Sequence, residues 1–211
     1  MMTEMTRTMD LILASSSPRR RSLLRQGGIA FRAVDPPLDE PASLQPGMTA
    51  AQTAEALAYY KARSVAESHS ESLVLGADTV VAATDGTLLG KPAHRLEART
   101  MLQTLSGSRH SVITGVALLG PGPRRLIASD TTFVTMRAMS ETEVAAYLDS
   151  GEWQGKSGAY AIQETADRFI TKIEGSFTNV VGLPMELLDR MLALATTRDA
   201  GDPCCRDGHS L

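Results

Sequence analysis

The sequence predicts an α/β fold, a mixed sheet with flanking helices in which a cleft separates two lobes. Three observations carry that expectation. Short apolar runs at 11–14 and 73–75 read as buried strands. Helical stripes follow them, the longest over 49–67. Runs at 111–119 and 126–136 flank Gly120-Pro121-Gly122-Pro123 as a long antiparallel hairpin. Strands that alternate with helices and also form hairpins require a sheet of both senses.

Each element has a local reason. Leu11 to Ala14 ends in a Ser-Pro step, where Ser17 suits an N-cap and Pro18 the first helical position of a helix to about Gln26, closed by Gly27-Gly28. A strand over 29–34 leads into the acidic, proline-broken loop 35–41. In the next helix Ala54, Leu57, Ala58, Ala62 and Val65 share one stripe, which leaves Lys61 on its polar edge. The run 73–75 meets Gly76-Ala77-Asp78, which reads as a buried strand delivering a carboxylate at its end. Residues 80–83 and 87–89 form a hairpin across Asp85-Gly86. Arg95 to Leu105 is helical. Ser140-Glu141-Thr142-Glu143 is a capping box opening a helix to Asp149. A strand over 169–173 and a helix from Pro184 to about Leu194 complete a domain over 10–197, with loose termini at 1–9 and 198–211.

Composition bounds the function. A net charge of −3 over 211 residues argues against a general nucleic-acid binder, which carries a basic excess to displace counterions. The cysteines are the adjacent pair Cys204 and Cys205, unsuited to a disulfide framework or a four-ligand zinc site, so a reducing, cytoplasmic compartment is expected. No apolar run reaches the roughly 18 residues of a membrane span, and the N-terminus lacks a secretory apolar region. The histidines are scattered, with no readable metal cluster, and His110, Trp153 and Tyr160 are assigned to structure.

The basic residues are unevenly written. Only four lysines, Lys61, Lys91, Lys156 and Lys172, stand among 21 basic side chains. Lys91 lies in a Gly-Lys-Pro bend and Lys156 before the small residues Ser157-Gly158-Ala159, where a backbone can approach a ligand closely. Ser15, Ser16 and Ser17 precede a helix whose first turn carries Arg19, Arg20 and Arg21. Cations there oppose the helix dipole and ask for an anion to offset them, while free N–H groups, hydroxyls and guanidinium forks supply its ligands. The competing reading is a capped helix with solvated arginines. Asp78, alone, would read as a turn or cap residue. With Asp39 and Glu40 in the acidic loop, it offers the carboxylates that hold Mg²⁺ beside substrate phosphates. Gln163, after Tyr160-Ala161-Ile162, offers an amide donor and acceptor to a base edge, or equally to the backbone.

Six phrases then become recognisable in order: Ala14 to Arg20, Gly76 to Thr79, Gly90-Lys91-Pro92, Leu105 to Val112, Lys156 to Gln163, and Gly175 to Pro184. Over residues 10–195 the chain resembles the Maf family of nucleoside triphosphate pyrophosphatases. The resemblance implies a strongly twisted sheet of the inosine triphosphatase kind. It also implies hydrolysis of nucleoside triphosphates to monophosphate and pyrophosphate with a divalent cation, Mg²⁺ or Mn²⁺. Carried over, Asp78 matches the proton acceptor. Arg19, Thr79 and Gln163 match positions tied to substrate specificity in the branch preferring dTTP and UTP. Ser15, Ser17, Arg20, Lys61 and Lys91 match phosphate contacts. Glu40, or Asp39 beside it, matches an acidic position that joins Asp78 near the metal. An added proline in 35–41 leaves the choice between those two acids open. The partner expected is a nucleoside triphosphate, neither nucleic acid nor membrane, and a homodimer is left open. Two rival readings stand: a pyrophosphatase of the 7-methyl-GTP kind, and a nucleotide-sensing regulator of cell division.

Overall fold

β1 (Leu11–Ala14) is buried along its whole length, as an apolar run with helices on both sides must be. The computed structural model describes residues 10–37, 47–163 and 165–197. The expected loose termini and the acidic pair Asp39 and Glu40 lie outside these described residues. Helix α1 (Pro18–Gln26) follows with Ser17 as its N-cap, and β2 (Arg32–Val34) is shorter than the sequence suggests. Next come α2 (Ala50–Ala66), β3 (Leu73–Ala82), β4 (Leu88–Leu89) and α3 (Arg95–Leu105). The long hairpin is β5 (Arg109–Leu119) and β6 (Arg125–Met136). The chain closes with α4 (Glu141–Ser150), β7 (Ile170–Glu174), the short α5 (Phe177–Val181) and α6 (Met185–Thr197). The capping box of α4 forms as the sequence requires.

The sheet runs β2-β1-β3-β5-β6-β7, parallel on the β2-β1-β3 side and antiparallel beyond, with β4 paired to β3. It is thus the mixed sheet the sequence predicts. One expectation is corrected: Asp78 does not end a strand. β3 continues through Gly76-Ala77-Asp78 because every residue from Val74 to Ala82 has a partner on β5. What ends is its parallel neighbour. β1 pairs with Leu73 to Gly76, while β4 pairs with Val81 and Ala82. Since β5 occupies the opposite edge of β3, β1 and β4 share one edge, and residues 77–80 lie in a gap between them. That gap is the cleft.

Helix α2 packs over β3 and β5 because two glycines allow it. A Cβ on Gly76 would stand 2.2 Å from the Ala58 carbonyl oxygen, and one on Gly115 2.3 Å from the same group of Ala54. The alanine stripe of α2 rests on these bare positions, so helix and strand backbones approach far more closely than usual. A Thr49–Gln52 capping box fixes the helix start, worth about 1 kcal/mol. On the opposite sheet face α1 and α6 cover Leu13, Leu75 and Val116. A separate core of α3, α4, Trp153 and Phe169 forms around Val81, Val112 and Met136. These cores lie on either side of the gap, giving the two lobes.

Candidate active site

The gap opens into a cavity of about 610 Å³, within the size range of small-molecule sites. Its lining combines the cationic Arg19, Arg20, Lys61, Lys91 and Lys156 with the apolar Val81, Val112, Tyr160, Ile162 and Val181. Among the described residues Asp78 is the only carboxylate lining it. A cleft with five cations around one buried acid is built for an anionic ligand.

Asp78 lies on the α2 side of the sheet, in line with Gly76. The close seating of α2 brings Lys61 over it, and the Lys61 ammonium pairs with Asp78 Oδ1. Lys61 is therefore no solubilising side chain on a polar edge, since only 14 % of it is exposed.

Thr79 faces the other side of the sheet, toward α1 and α5. Its hydroxyl accepts from Arg20 Nη2 at 3.2 Å. Arg20 also donates from Nε to the Gly182 carbonyl at 2.8 Å and from Nη1 to Ser15 Oγ at 3.4 Å. The guanidinium thereby ties α1 to β3 and to the end of α5. Gly182 has φ +126°, a conformation that L side chains rarely adopt. Arg21 is turned outward, donating to Asp35 at 2.7 Å and to the Ser15 carbonyl at 3.1 Å. Of the three first-turn arginines, then, Arg21 pairs with Asp35, while Arg19 and Arg20 line the cavity.

Ser15 and Ser17 line the cavity at the N-terminus of α1, where the Ser17 N–H donates to Ser15 Oγ at 3.2 Å. Lys91 lies at the mouth, exposed. Segment 156–162 forms one wall. Ser157 Oγ donates to the Thr79 carbonyl at 2.7 Å, and the Gly158 N–H donates to the Gly90 carbonyl at 3.0 Å. Ala159 holds φ +62° here, the one described non-glycine residue in the left-handed region. Such strain persists only where the surroundings over-determine it.

Tyr160, assigned to structure by the sequence, serves both purposes. Its ring lines the cavity and its hydroxyl meets His110 Nε2 at 2.8 Å, ring against edge. Burial pulls the His110 pKa down to about 4 and pushes the Tyr160 hydroxyl above its ordinary value, so both groups are neutral near pH 7. Gln163 is the outlier: its side chain is exposed and is not among the cavity-lining residues. Gly182, joined to Arg20, Thr114, joined to Thr79, and Asn179, joined to Thr114, were not singled out from sequence. Their only signal was Asn179 and Gly182 within the phrase 175–184, because cross-strand register cannot be read from spacing.

The chain is 46 % identical over 184 residues to the dTTP/UTP pyrophosphatase of Pelotomaculum thermopropionicum, covering 87 % of this chain and 95 % of that one. It is 47 % identical over 183 residues to the dTTP/UTP pyrophosphatase of Symbiobacterium thermophilum, covering 87 % and 92 %. A solved HAM1 protein from Coxiella burnetii is a looser likeness, with a TM-score of 0.48 and 15 % identity over 88 % of this chain and 99 % of that one. Residues 10–195 match the family model described as Maf-like protein, and the chain belongs to that family.

Proposed function

We propose that this protein is a cytoplasmic nucleoside triphosphate pyrophosphatase that hydrolyses dTTP and UTP to the monophosphate and pyrophosphate. One observation carries the reading: among the described residues, one cavity is lined by five cationic side chains, a single buried carboxylate and several apolar side chains. The cationic side chains suit a triphosphate and the apolar ones a base. The two relatives just described, aligned over nearly their whole lengths, bear the name dTTP/UTP pyrophosphatase.

A divalent cation, Mg²⁺ or Mn²⁺, fits the donor set. Such ions are held by one or two carboxylates together with substrate phosphates, and Asp78 supplies one carboxylate within the cavity. Among the described residues no cluster of three or more His, Cys, Asp or Glu holds an ion unaided. When bound, the ion supplies Lewis-acid polarisation and a more acidic water.

Asp78 is the proton acceptor for the water that attacks the α-phosphorus. Lys61 holds its carboxylate in place. Arg19, Lys91 and the N–H groups at the start of α1, with Ser15 and Ser17, take the charge that grows on the departing pyrophosphate. Arg20 orients that end of the site by joining Ser15, Thr79 and Gly182. The test is incubation with dTTP, UTP, CTP and 7-methyl-GTP plus Mg²⁺ or Mn²⁺, with pyrophosphate and orthophosphate assayed separately. Pyrophosphate without orthophosphate, fastest from dTTP and UTP, is the expected result. Binding without turnover would overturn the reading in favour of a sensor.

A further inference from the structure

A chain of hydroxyls runs from the cavity into the core. Thr79 Oγ1 accepts from Arg20 Nη2, lies 2.9 Å from Thr114 Oγ1, and Thr114 Oγ1 lies 3.0 Å from the Asn179 carbonyl oxygen. Both ends have only one sense. A guanidinium can only donate and a carbonyl can only accept. Thr114 has one hydroxyl hydrogen, is fully buried, and must spend that hydrogen on the Asn179 carbonyl. The Thr79 hydrogen must then point at Thr114. Thr79 is left with one lone pair for Arg20 and one more, and with no hydrogen to offer a ligand.

The far end of the chain is pinned. The Asn179 side chain, also fully buried, donates to the Val112 carbonyl at 2.9 Å and to Thr132 Oγ1 at 3.0 Å. Thr132 in turn donates to the Ser176 carbonyl at 2.9 Å. These bonds hold α5 against β5 and β6, so the accepting carbonyl cannot turn away.

Thr79 lines the cavity next to both kinds of side chain, cationic and apolar. It shares a strand face with Val81, and Thr114 shares one with Val112, while Arg20 donates to it. We propose that Thr114 is a positioning residue that locks the Thr79 hydroxyl as an acceptor, so that the site favours pyrimidines carrying N3–H, uracil and thymine, over cytosine. The proposal rests on the dTTP/UTP reading above and adds to it a cause for the selectivity. With the triphosphate held by the cationic side chains, a fixed acceptor meets N3–H of uracil or thymine but the N3 lone pair of cytosine. Cytosine would have to shift along its edge to offer its amino group instead.

The test measures affinities for UTP and CTP by calorimetry in EDTA, where turnover is suppressed. Wild type is expected to favour UTP. Thr114→Val, nearly isosteric but without the hydroxyl, frees the Thr79 hydrogen to rotate toward the cavity, and the UTP-to-CTP affinity ratio should fall roughly 10-fold. Thr114→Ser should restore the ratio, because it keeps the bridge. A merely structural role would weaken both ligands in proportion. Thr79→Val, which removes the acceptor itself, gives the same answer should Thr114→Val fail to fold. The proposal is overturned by a wild type without preference for UTP, or by a folded Thr114→Val or Thr79→Val protein that keeps the wild-type ratio. Pyrophosphate release with Mg²⁺ or Mn²⁺ is scored separately. A protein that selects UTP but releases none leaves this inference standing and removes the pyrophosphatase reading.

Discussion

Lys61 on α2 pairs with Asp78 on β3 across 17 positions of sequence, and both side chains are nearly out of water, 14 % and 6 % exposed. Two charges so placed hold each other in position, and removing either leaves the other desolvated without compensation. Asp78→Asn should therefore lower stability by about 3 kcal/mol, and the folded protein, without its proton acceptor, should show kcat down roughly 100-fold or more with nucleotide binding retained. Lys61→Met should destabilise the protein by about 3 kcal/mol, and the double variant Lys61→Met with Asp78→Asn should recover most of that loss. Urea unfolding of the three variants reads the coupling. Simple additivity would show that the pair does not act as a unit.

Gly76 makes that pairing feasible, since its missing side chain lets α2 lie against β3. Gly76→Ala would place a Cβ 2.2 Å from the Ala58 carbonyl and 2.8 Å from the Ala62 N–H nitrogen, both backbone atoms that cannot step aside alone. The helix must lift, carrying Lys61 away from Asp78. A loss of about 3 kcal/mol or more is expected, together with loss of turnover. A thermal melt and a pyrophosphate assay check it, and an active protein of unchanged stability would mean α2 is not seated as described.

Arg20 spans three partners, ahead of α1, on β3 and just past α5, from Nη1, Nη2 and Nε. A lysine ammonium is a single point and cannot reach the Gly182 carbonyl, Ser15 and Thr79 together. Arg20→Lys should thus lower kcat/KM nearly as far as Arg20→Ala, by roughly 10- to 100-fold, since charge-assisted hydrogen bonds contribute about 1.5–3 kcal/mol each. Full activity in Arg20→Lys would show that charge alone is needed there.

His110 provides a pH test. Its folded pKa of about 4 lies below the ordinary 6.5 because it is buried. Between those values the unfolded chain binds a proton that the native protein refuses, so stability falls as pH drops from about 6.5 toward 4. The full contribution is about 3 kcal/mol at 1.36 kcal/mol per unit. His110→Gln should flatten this part of the curve relative to wild type, although its stability at pH 7 will be lower through the lost Tyr160 contact. Denaturant midpoints from pH 4 to pH 7 decide; parallel curves would clear His110 of the effect.

The sequence carried the fold further than the site. The Ser17 and Ser140 caps, the Asp85-Gly86 hairpin and the alanine stripe of α2 are local features, set by neighbours within a few residues, and all are present. Lys61 is different. Its stripe position puts it on a polar edge, and only the contact of Gly76 with Ala58 and Ala62, which no local pattern reveals, turns that edge onto Asp78. The gap in the β3 edge escaped for a related reason: periodicity reports burial along one strand but not where the neighbouring strand stops. α5 has five residues, too few for a helical stripe to register.

Gln163 is the last case, where the amide chemistry and the geometry point apart. An amide that read a pyrimidine edge from inside the cavity would leave buried polar groups unpaired when removed, a penalty of about 1–3 kcal/mol falling on matching bases alone. The side chain is instead exposed beyond Ile162 and outside the cavity wall, so a lost contact there is replaced by water at little cost. Gln163→Ala should accordingly lower kcat/KM for UTP and CTP by the same factor, under about 5-fold, whereas Thr79→Val should change their ratio. Kinetics of both variants on both substrates separate the two residues. A Gln163→Ala protein that loses 10-fold on UTP and little on CTP would mean that segment 160–163 turns inward on binding and brings the amide to the base, with Thr79 in the lesser role.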